Sequence, residues 1–201
     1  MPMKKIILAS GSPRRHEILN MLGIPFTVMI PQLDETWPDG FNIRMVPQYL
    51  SSKKAEAVSA KMKEDELLIA ADTVVIFQNQ ILGKPGDTNH AIEMLEKLSG
   101  NMHEVLSGVT IQTNKHSTTF SELTRVYFRP LSREMIETYV SKFKPFDKAG
   151  AYAIQEWIGL VAIEKINGCY YNVMGLPASR LVLELQKLNV TIEHFQNSVV
   201  A

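Results

Sequence analysis

A strand, a loop of small residues and a helix start follow one another without interruption in Ile6-Ile7-Leu8-Ala9-Ser10-Gly11-Ser12-Pro13-Arg14-Arg15. Ile6 to Ala9 is a short apolar run of the kind a buried strand uses. Ser10-Gly11-Ser12 supplies a turn, two hydroxyls and unhindered backbone N–H groups. Ser12 stands where an N-cap belongs and Pro13 where the first helical residue belongs. The helix that follows carries Ile18, Leu19 and Leu22 on one face, with Gly23 as its stop. Phe26-Thr27-Val28-Met29-Ile30 then reads as a second strand, so the opening is a parallel βαβ unit. Arg14 and Arg15 fall in the first helical turn, where cations oppose the helix dipole unless an anion answers them. A phosphate group would answer both arginines and the free N–H groups. The plainer alternative is a strand-to-helix turn with two solvated arginines.

The rest of the chain keeps this alternation at first and then turns to hairpins. Pro31 to Asn42 reads as an irregular loop holding Asp34 and Glu35. Pro47 opens a helix to about Lys63, with Leu50, Ala57 and Val58 as its apolar side and Lys53, Lys54, Lys61 and Lys63 within it. Leu67 to Phe77 is apolar apart from Asp72 and Thr73, as in a central buried strand. Asp87 or Thr88 caps a helix whose core face is Ala91, Ile92, Leu95 and Leu98, and Gly100 ends it. Glu104 to Gln112 and Thr118 to Phe128 form a long hairpin turning near Asn114-Lys115. Ser132 caps the next helix and Pro145 stops it. Asn167-Gly168 signals a second hairpin, between Gly159–Ile166 and Cys169–Val173. Gly175-Leu176-Pro177 starts the last helix, with Leu181, Val182, Leu185 and Leu188 as its stripe. The tail from residue 189 to 201 is weakly patterned and expected to fray. The fold class is α/β with a mixed sheet.

Formal net charge is zero, from 21 basic and 21 acidic residues, so no global field draws the chain to nucleic acid or to an anionic membrane. Any anion site must be local. The single cysteine, Cys169, excludes an internal disulfide and fits a reducing compartment; its expected place is a strand, as a small buried hydrophobe. The apolar run at the start is too short for a signal peptide, and no segment is long enough to span a bilayer. The expected location is the cytoplasm, with no membrane partner.

Asp72 is the sharpest single residue, because an ionisable group inside an apolar strand is costly unless it is paired or binds a metal. The alternative is a strand-end carboxylate capping a turn. Glu35, beside Asp34, is the natural second carboxylate, or else an ordinary acidic loop residue. Lys84, between Gly83 and Pro85, has a restricted backbone path. Lys53 and Lys54 share a helix with other lysines, where a solvated face is the default. The histidines are scattered without metal-ligand spacing, and neither a phosphate-binding Walker loop nor a Gly-x-Ser-x-Gly elbow occurs. Two arginines, several lysines and a few carboxylates on loops suit a phosphate ester bound through a divalent cation, with hard oxygen ligands favouring Mg²⁺ or Mn²⁺.

Ser10-Gly11-Ser12-Pro13-Arg14-Arg15, Glu35, Lys54, Ala71-Asp72-Thr73, Gly83-Lys84-Pro85, Asp147-Lys148-Ala149-Gly150-Ala151-Tyr152-Ala153-Ile154-Gln155 and Tyr171-Asn172-Val173-Met174-Gly175-Leu176-Pro177 occur in this order. In these motifs the chain closely resembles the Maf family of nucleoside triphosphate pyrophosphatases, over roughly Lys4 to Leu188. The resemblance implies one Maf-like domain, a two-lobed α/β fold around a long mixed sheet with flanking helices and a cleft between the lobes. That architecture is related to the inosine triphosphate pyrophosphatases. It implies hydrolysis of a nucleoside triphosphate to the monophosphate and pyrophosphate, and a homodimer. By the matching motifs Ser10, Ser12, Arg14 and Arg15 would hold phosphate oxygens, Glu35 and Asp72 would bind the metal or its activated water, and Lys54 and Lys84 would neutralise the triphosphate.

Arg14, Thr73 and Gln155 match the members that act on dTTP and UTP. A sister group acts on 7-methyl-GTP and carries an aromatic residue at the position of Arg14 and an acid near Gln155. Two departures stand out. Lys53 occupies a position where many relatives carry an acid, and Glu156-Trp157-Ile158-Gly159 follows Gln155 where many have a glycine at once. Besides the enzyme, a second reading is a nucleotide-binding regulator of cell division, since members of the family have been linked to septum inhibition. The intact Asp72, Glu35 and Lys84 argue for catalysis. Direct nucleic-acid binding is disfavoured by the neutral charge and by the lack of an aromatic-basic stripe.

Overall fold

Parallel pairing of the first two strands sets the architecture. In the computed structural model, which describes residues 4–190, β1 (Lys5–Leu8) pairs in parallel with β2 (Phe26–Val28) and with β3 (Glu66–Phe77). The helix α1 (Pro13–Met21) is the crossover of the βαβ unit. β4 (Gln80–Leu82) turns back antiparallel on β3. β5 (Met102–Gln112) and β6 (Ser117–Phe128) are the long hairpin, and β7 (Ile163–Asn167) pairs antiparallel with β6. The sheet has seven strands in the order β2-β1-β3-β5-β6-β7, with β4 beside β3. It is mixed, as the sequence implies.

The chain divides into two compact units. The first takes residues 4–72, 107–122 and 175–190 of the described chain. Here α2 (Val46–Ser59) lays Ala55 and Val58 over Ile7, Ala9, Leu68 and Ala70. The helix start comes so close to β5 that a Cβ on Gly108 would lie 2.2 Å from the Pro47 carbonyl carbon. Only hydrogen fits there. Below it Ser51 Oγ, which donates to the Gln48 carbonyl, meets Thr110 Oγ1 at 3.0 Å, and Thr110 Oγ1 meets Thr119 Oγ1 at 2.9 Å, so the buried Ser51 and Thr110 hydroxyls are both satisfied. The last helix, α7 (Ala178–Lys187), ends in a Schellman cap: Asn189 is left-handed, its N–H donates to the Gln186 carbonyl, and the Val190 N–H donates to the Leu185 carbonyl. Asn189 and buried Val190 therefore belong to the helix end and not to a frayed tail; residues 191–201 lie outside the described residues.

The second unit takes residues 73–106 and 123–174. Its core joins α3 (Thr88–Leu98) and α4 (Arg133–Phe143) through Ala91, Leu95, Leu98, Ile136, Tyr139 and Val140. Both helices start where the sequence places them: Asp87 accepts from the His90 N–H and Ser132 from the Met135 N–H.

The structure corrects several expectations. Asn167-Gly168 does not close a hairpin. Gly159 lies inside the helix α5 (Trp157–Ala162), and a second helix, α6 (Tyr170–Met174), follows β7. The reason is β6. Thr124 Oγ1 accepts from the Cys169 N–H and from Asn172 Nδ2, and donates to the Cys169 carbonyl. Gly168 passes so close that a Cβ there would lie 2.6 Å from that hydroxyl. These contacts take the hydrogen bonds a returning strand would need. Cys169 is accordingly half-buried and outside any strand. On α2 the inward residue is Ala55 and Ala57 is exposed, and the helix stops at Ser59 instead of near Lys63. β2 stops at Val28, although the Met29 N–H still donates to the Leu8 carbonyl.

Candidate active site

The loop between β1 and α1 is built around Ser10. Its Oγ accepts from the Ser12 N–H at 3.2 Å and from Arg15 Nη1 at 3.0 Å, and its carbonyl lies 2.9 Å from His16 Nε2. Arg15 also donates from Nε to the Gly175 carbonyl at 2.9 Å. Two of the guanidinium's five donors thus fix its plane against the chain. Arg15 is buried, not solvated. Burial lowers its pKa most; Asp72 raises it, Arg14 lowers it and Glu35 raises it. Asp72, Arg14 and Glu35 therefore share the electrostatic neighbourhood of Arg15. Ser12 holds the N-cap position of α1, yet its side chain makes no capping bond. Arg14 and Ser12 are half-buried.

The second group of side chains centres on an ammonium. Lys54 Nζ donates to Asp72 Oδ1 at 2.6 Å and lies 2.9 Å from Glu35 Oε1. Lys54 and Asp72 are each 6% exposed, whereas the Glu35 side chain is 52% exposed. Asp72 reaches this place because β3 carries it among buried apolar neighbours. Lys54 reaches it because it falls on the inner face of α2 with Leu50, Ser51 and Val58. Adjacent Lys53 turns the other way, 5.4 Å from the Tyr49 ring centre. The lysine-rich helix is thus not a solvated face throughout: one of its lysines is drawn inward by two carboxylates from distant segments. Burial of such a pair costs much desolvation and is tolerated here because the charges meet directly.

Two carboxylate oxygens converging on one ammonium are also a hard-oxygen donor set. Among the described residues no group of three or more His, Cys, Asp or Glu could hold a metal. Two carboxylates suffice for Mg²⁺, which commonly takes one or two from the protein and completes its shell with phosphate and water.

The remaining sequence candidates lie in the second unit. Thr73 follows Asp72 in β3 and is half-buried. Lys84 is exposed on the turn after β4. That turn is tied to the Asp147–Gln155 segment by a bond from the Gly150 N–H to the Gly83 carbonyl at 3.0 Å. Gln155 is exposed and lines an open pocket of about 360 Å³ with Leu160, Ile163, Lys165 and Tyr170.

The model of the family described as Maf-like protein matches residues 5–188. The chain belongs to the Maf family. It is 50% identical over 183 residues to the dTTP/UTP pyrophosphatase of Cytophaga hutchinsonii, covering 91% of this chain and 84% of that one. It is 48% identical to the dTTP/UTP pyrophosphatase of Phocaeicola vulgatus, covering 92% and 96%. Among solved structures, the Staphylococcus aureus Ham1 protein superposes with a TM-score of 0.51 at 14% identity, over 92% of this chain and the whole of that one. That likeness concerns the fold, and it agrees with the α/β architecture expected.

In this Maf-family chain the structure brings Ser10, Arg14, Arg15, Glu35, Lys54 and Asp72 into one unit. It also adds parts that residue types alone did not single out. The Gly175 carbonyl orients Arg15, and its only signal in the sequence is the Gly-Leu-Pro of a motif with no assigned role. His16 braces the Ser10 carbonyl. Tyr139 and Lys148, both buried, meet the half-buried Glu156 beside Gln155, and Glu156 in place of a glycine is the hint of this in the sequence.

Proposed function

We propose that this chain hydrolyses dTTP and UTP to the nucleoside monophosphate and pyrophosphate, by attack of water on the α-phosphorus. The observation that carries the reading is the Asp72–Lys54–Glu35 group within the electrostatic reach of an immobilised Arg15. The names of its relatives support the substrate, being dTTP/UTP pyrophosphatases at up to 50% identity.

The reaction needs a base for the water and cations for the leaving pyrophosphate. Asp72, with Oδ1 held by Lys54, receives the water's proton. Ser12, Arg14 and Arg15, at the start of α1, hold phosphate oxygens, where helix N–H groups add their partial charge. The Ser10 hydroxyl keeps Arg15 aligned for this. Lys54 offsets charge that builds on the phosphates, and the family resemblance assigns the same task to Lys84. Glu35 and Asp72 would hold Mg²⁺ or Mn²⁺, which when bound screens phosphate charge and makes water more acidic. By the family resemblance Thr73 and Gln155 are assigned to the nucleoside. The family resemblance and the single cysteine support a cytoplasmic enzyme, and the resemblance a homodimer.

The test is the product. Pyrophosphate release from dTTP and UTP with Mg²⁺ or Mn²⁺ present, its loss in excess chelator and its return on adding the cation are expected. Release of orthophosphate from the γ position would overturn the reading.

A further inference from the structure

Gln155 is exposed, and its side chain makes no hydrogen bond to another described residue. A side chain that reads the edge of a base must nonetheless be held to within about half an ångström. Its position therefore rests on the backbone at either side. Upstream, Ala153 and Ile154 are buried, and the Tyr152 hydroxyl lies 2.7 Å from His103 Nε2. Downstream stands Glu156, whose N–H donates to the Ala153 carbonyl at 3.1 Å and so closes a tight turn around Gln155.

The Glu156 side chain is fixed from two directions. Oε2 accepts from the Tyr139 hydroxyl at 2.6 Å, and Oε1 lies 3.3 Å from Lys148 Nζ, which also bonds Asp147 Oδ1 at 2.7 Å. Tyr139 is fully buried on α4, its ring stacked on Phe143 at 5.1 Å between centres. Lys148 opens the turn that carries Gly150. One carboxylate thus joins α4, the Lys148 turn and the start of α5, directly beside Gln155.

We propose that Glu156 is a positioning residue for Gln155, setting base selection by clamping the Ala153–Glu156 turn to Tyr139 and Lys148. The proposal rests on the reading of Gln155 as the residue that meets the base. A carboxylate that only held the fold together would affect all nucleotides alike. A carboxylate that aims Gln155 affects the binding of the preferred bases most.

The experiment measures kcat, KM and melting temperature of the full chain carrying Glu156→Ala, Glu156→Gln, Tyr139→Phe or Gln155→Ala, with dTTP, UTP and CTP. Misplacing a group that orients substrate is costly, so Glu156→Ala should raise KM for dTTP and UTP about tenfold, with a smaller loss in kcat, and narrow the preference over CTP by about as much. Glu156→Gln keeps an acceptor for the Tyr139 hydroxyl and should recover most of the preference. Tyr139→Phe removes one hydroxyl from a retained ring and should narrow the preference more mildly, which keeps the test open if Glu156→Ala does not fold. An unchanged dTTP to CTP ratio in both Glu156→Ala and Tyr139→Phe, or an equal loss of kcat for every nucleotide, overturns the proposal. If Gln155→Ala destroys the preference and the Glu156 variants leave it intact, the positioning role alone falls. If Gln155→Ala leaves it intact, the base-reading role of Gln155 falls as well.

Discussion

Lys54 Nζ and Asp72 Oδ1 stand 2.6 Å apart, both almost out of solvent, although 18 residues separate them along the chain. The pair makes catalysis and stability separable by choice of substitution. Asp72→Asn keeps the size and a hydrogen-bond acceptor for Lys54, whose charge is still matched by Glu35. The fold should persist while kcat falls by at least about a hundredfold, the usual size of a general-base contribution. Lys54→Met instead strands a buried carboxylate and should cost about 3 kcal/mol in urea unfolding, as the loss of one partner of a buried pair does. An Asp72→Asn enzyme within about tenfold of the parent would remove Asp72 from the base role.

Gly108 acts on the same pair from a distance. A Cβ there would meet the Pro47 carbonyl carbon at 2.2 Å and the Gln48 nitrogen at 2.3 Å, so Gly108→Ala must push the start of α2 away from β5. Overpacking of this kind costs about 1–3 kcal/mol. Lys54 rides on that helix, two turns further along. Gly108→Ala should therefore lower the melting temperature and also reduce kcat/KM for dTTP, although Gly108 touches no substrate. A variant with full activity and parental stability would show that α2 yields without moving Lys54.

His103 gives the protein a built-in sensitivity to acid. It is 1% exposed, its Nε2 bonds the Tyr152 hydroxyl and its Nδ1 has no partner among the described residues. Burial lowers its pKa from 6.5 to about 3. Between these values the unfolded chain takes up a proton that the folded chain refuses, so stability falls as pH drops below about 6.5 and recovers as it rises. Each pH unit in that window is worth up to about 1.4 kcal/mol from this residue. His103→Gln keeps a polar partner for Tyr152 and loses the titration. Urea unfolding of both proteins at pH 7, 6 and 5 should show a shallower decline for the variant; parallel declines would mean that His103 takes up its proton in the folded state.

Where local chemistry decides structure, the sequence could be read directly. Asp87 and Ser132 announce their helices because the capping oxygen and its target N–H are three residues apart. Asp72 stood out because a carboxylate in an apolar strand needs a reason. Lys54 was harder. Among neighbouring lysines its spacing says only that it lies on a helix, and what pulls it inward comes from Glu35 and Asp72 on other segments. The Asn167-Gly168 turn departs from its local signal for a related reason. Its dipeptide favours a hairpin, but Thr124 on β6 captures Cys169 and Asn172 and winds the chain into α6. Arg15 lies between these cases: its place at a helix start is legible, whereas its anchor on the Gly175 carbonyl, 160 residues away, is a product of tertiary folding.

An amide can both donate and accept, which suits the thymine and uracil edge with its two carbonyls and one N–H. Cytosine offers an amino group where they offer a carbonyl, so its best partner differs. Gln155 lines an open pocket together with Tyr170 and the apolar Leu160 and Ile163, residue types that suit contact with a flat base. Sites that hydrogen-bond a specific edge discriminate well, because the wrong base leaves polar groups unpaired. The kcat/KM for dTTP and UTP should exceed that for CTP by about a hundredfold, a modest value for such a site because Gln155 is exposed. Gln155→Glu presents only acceptors when ionised and should lose most of its activity on dTTP and UTP, while hydrolysis of a triphosphate that offers N–H donors, such as 7-methyl-GTP, should suffer less. The measurement is kcat/KM of parent and variant on dTTP, UTP, CTP and 7-methyl-GTP under one set of conditions. A parent that prefers 7-methyl-GTP would move the chain to the other substrate group, and the Asp72 and Lys54 chemistry would stand unchanged, because neither residue depends on which base Gln155 meets.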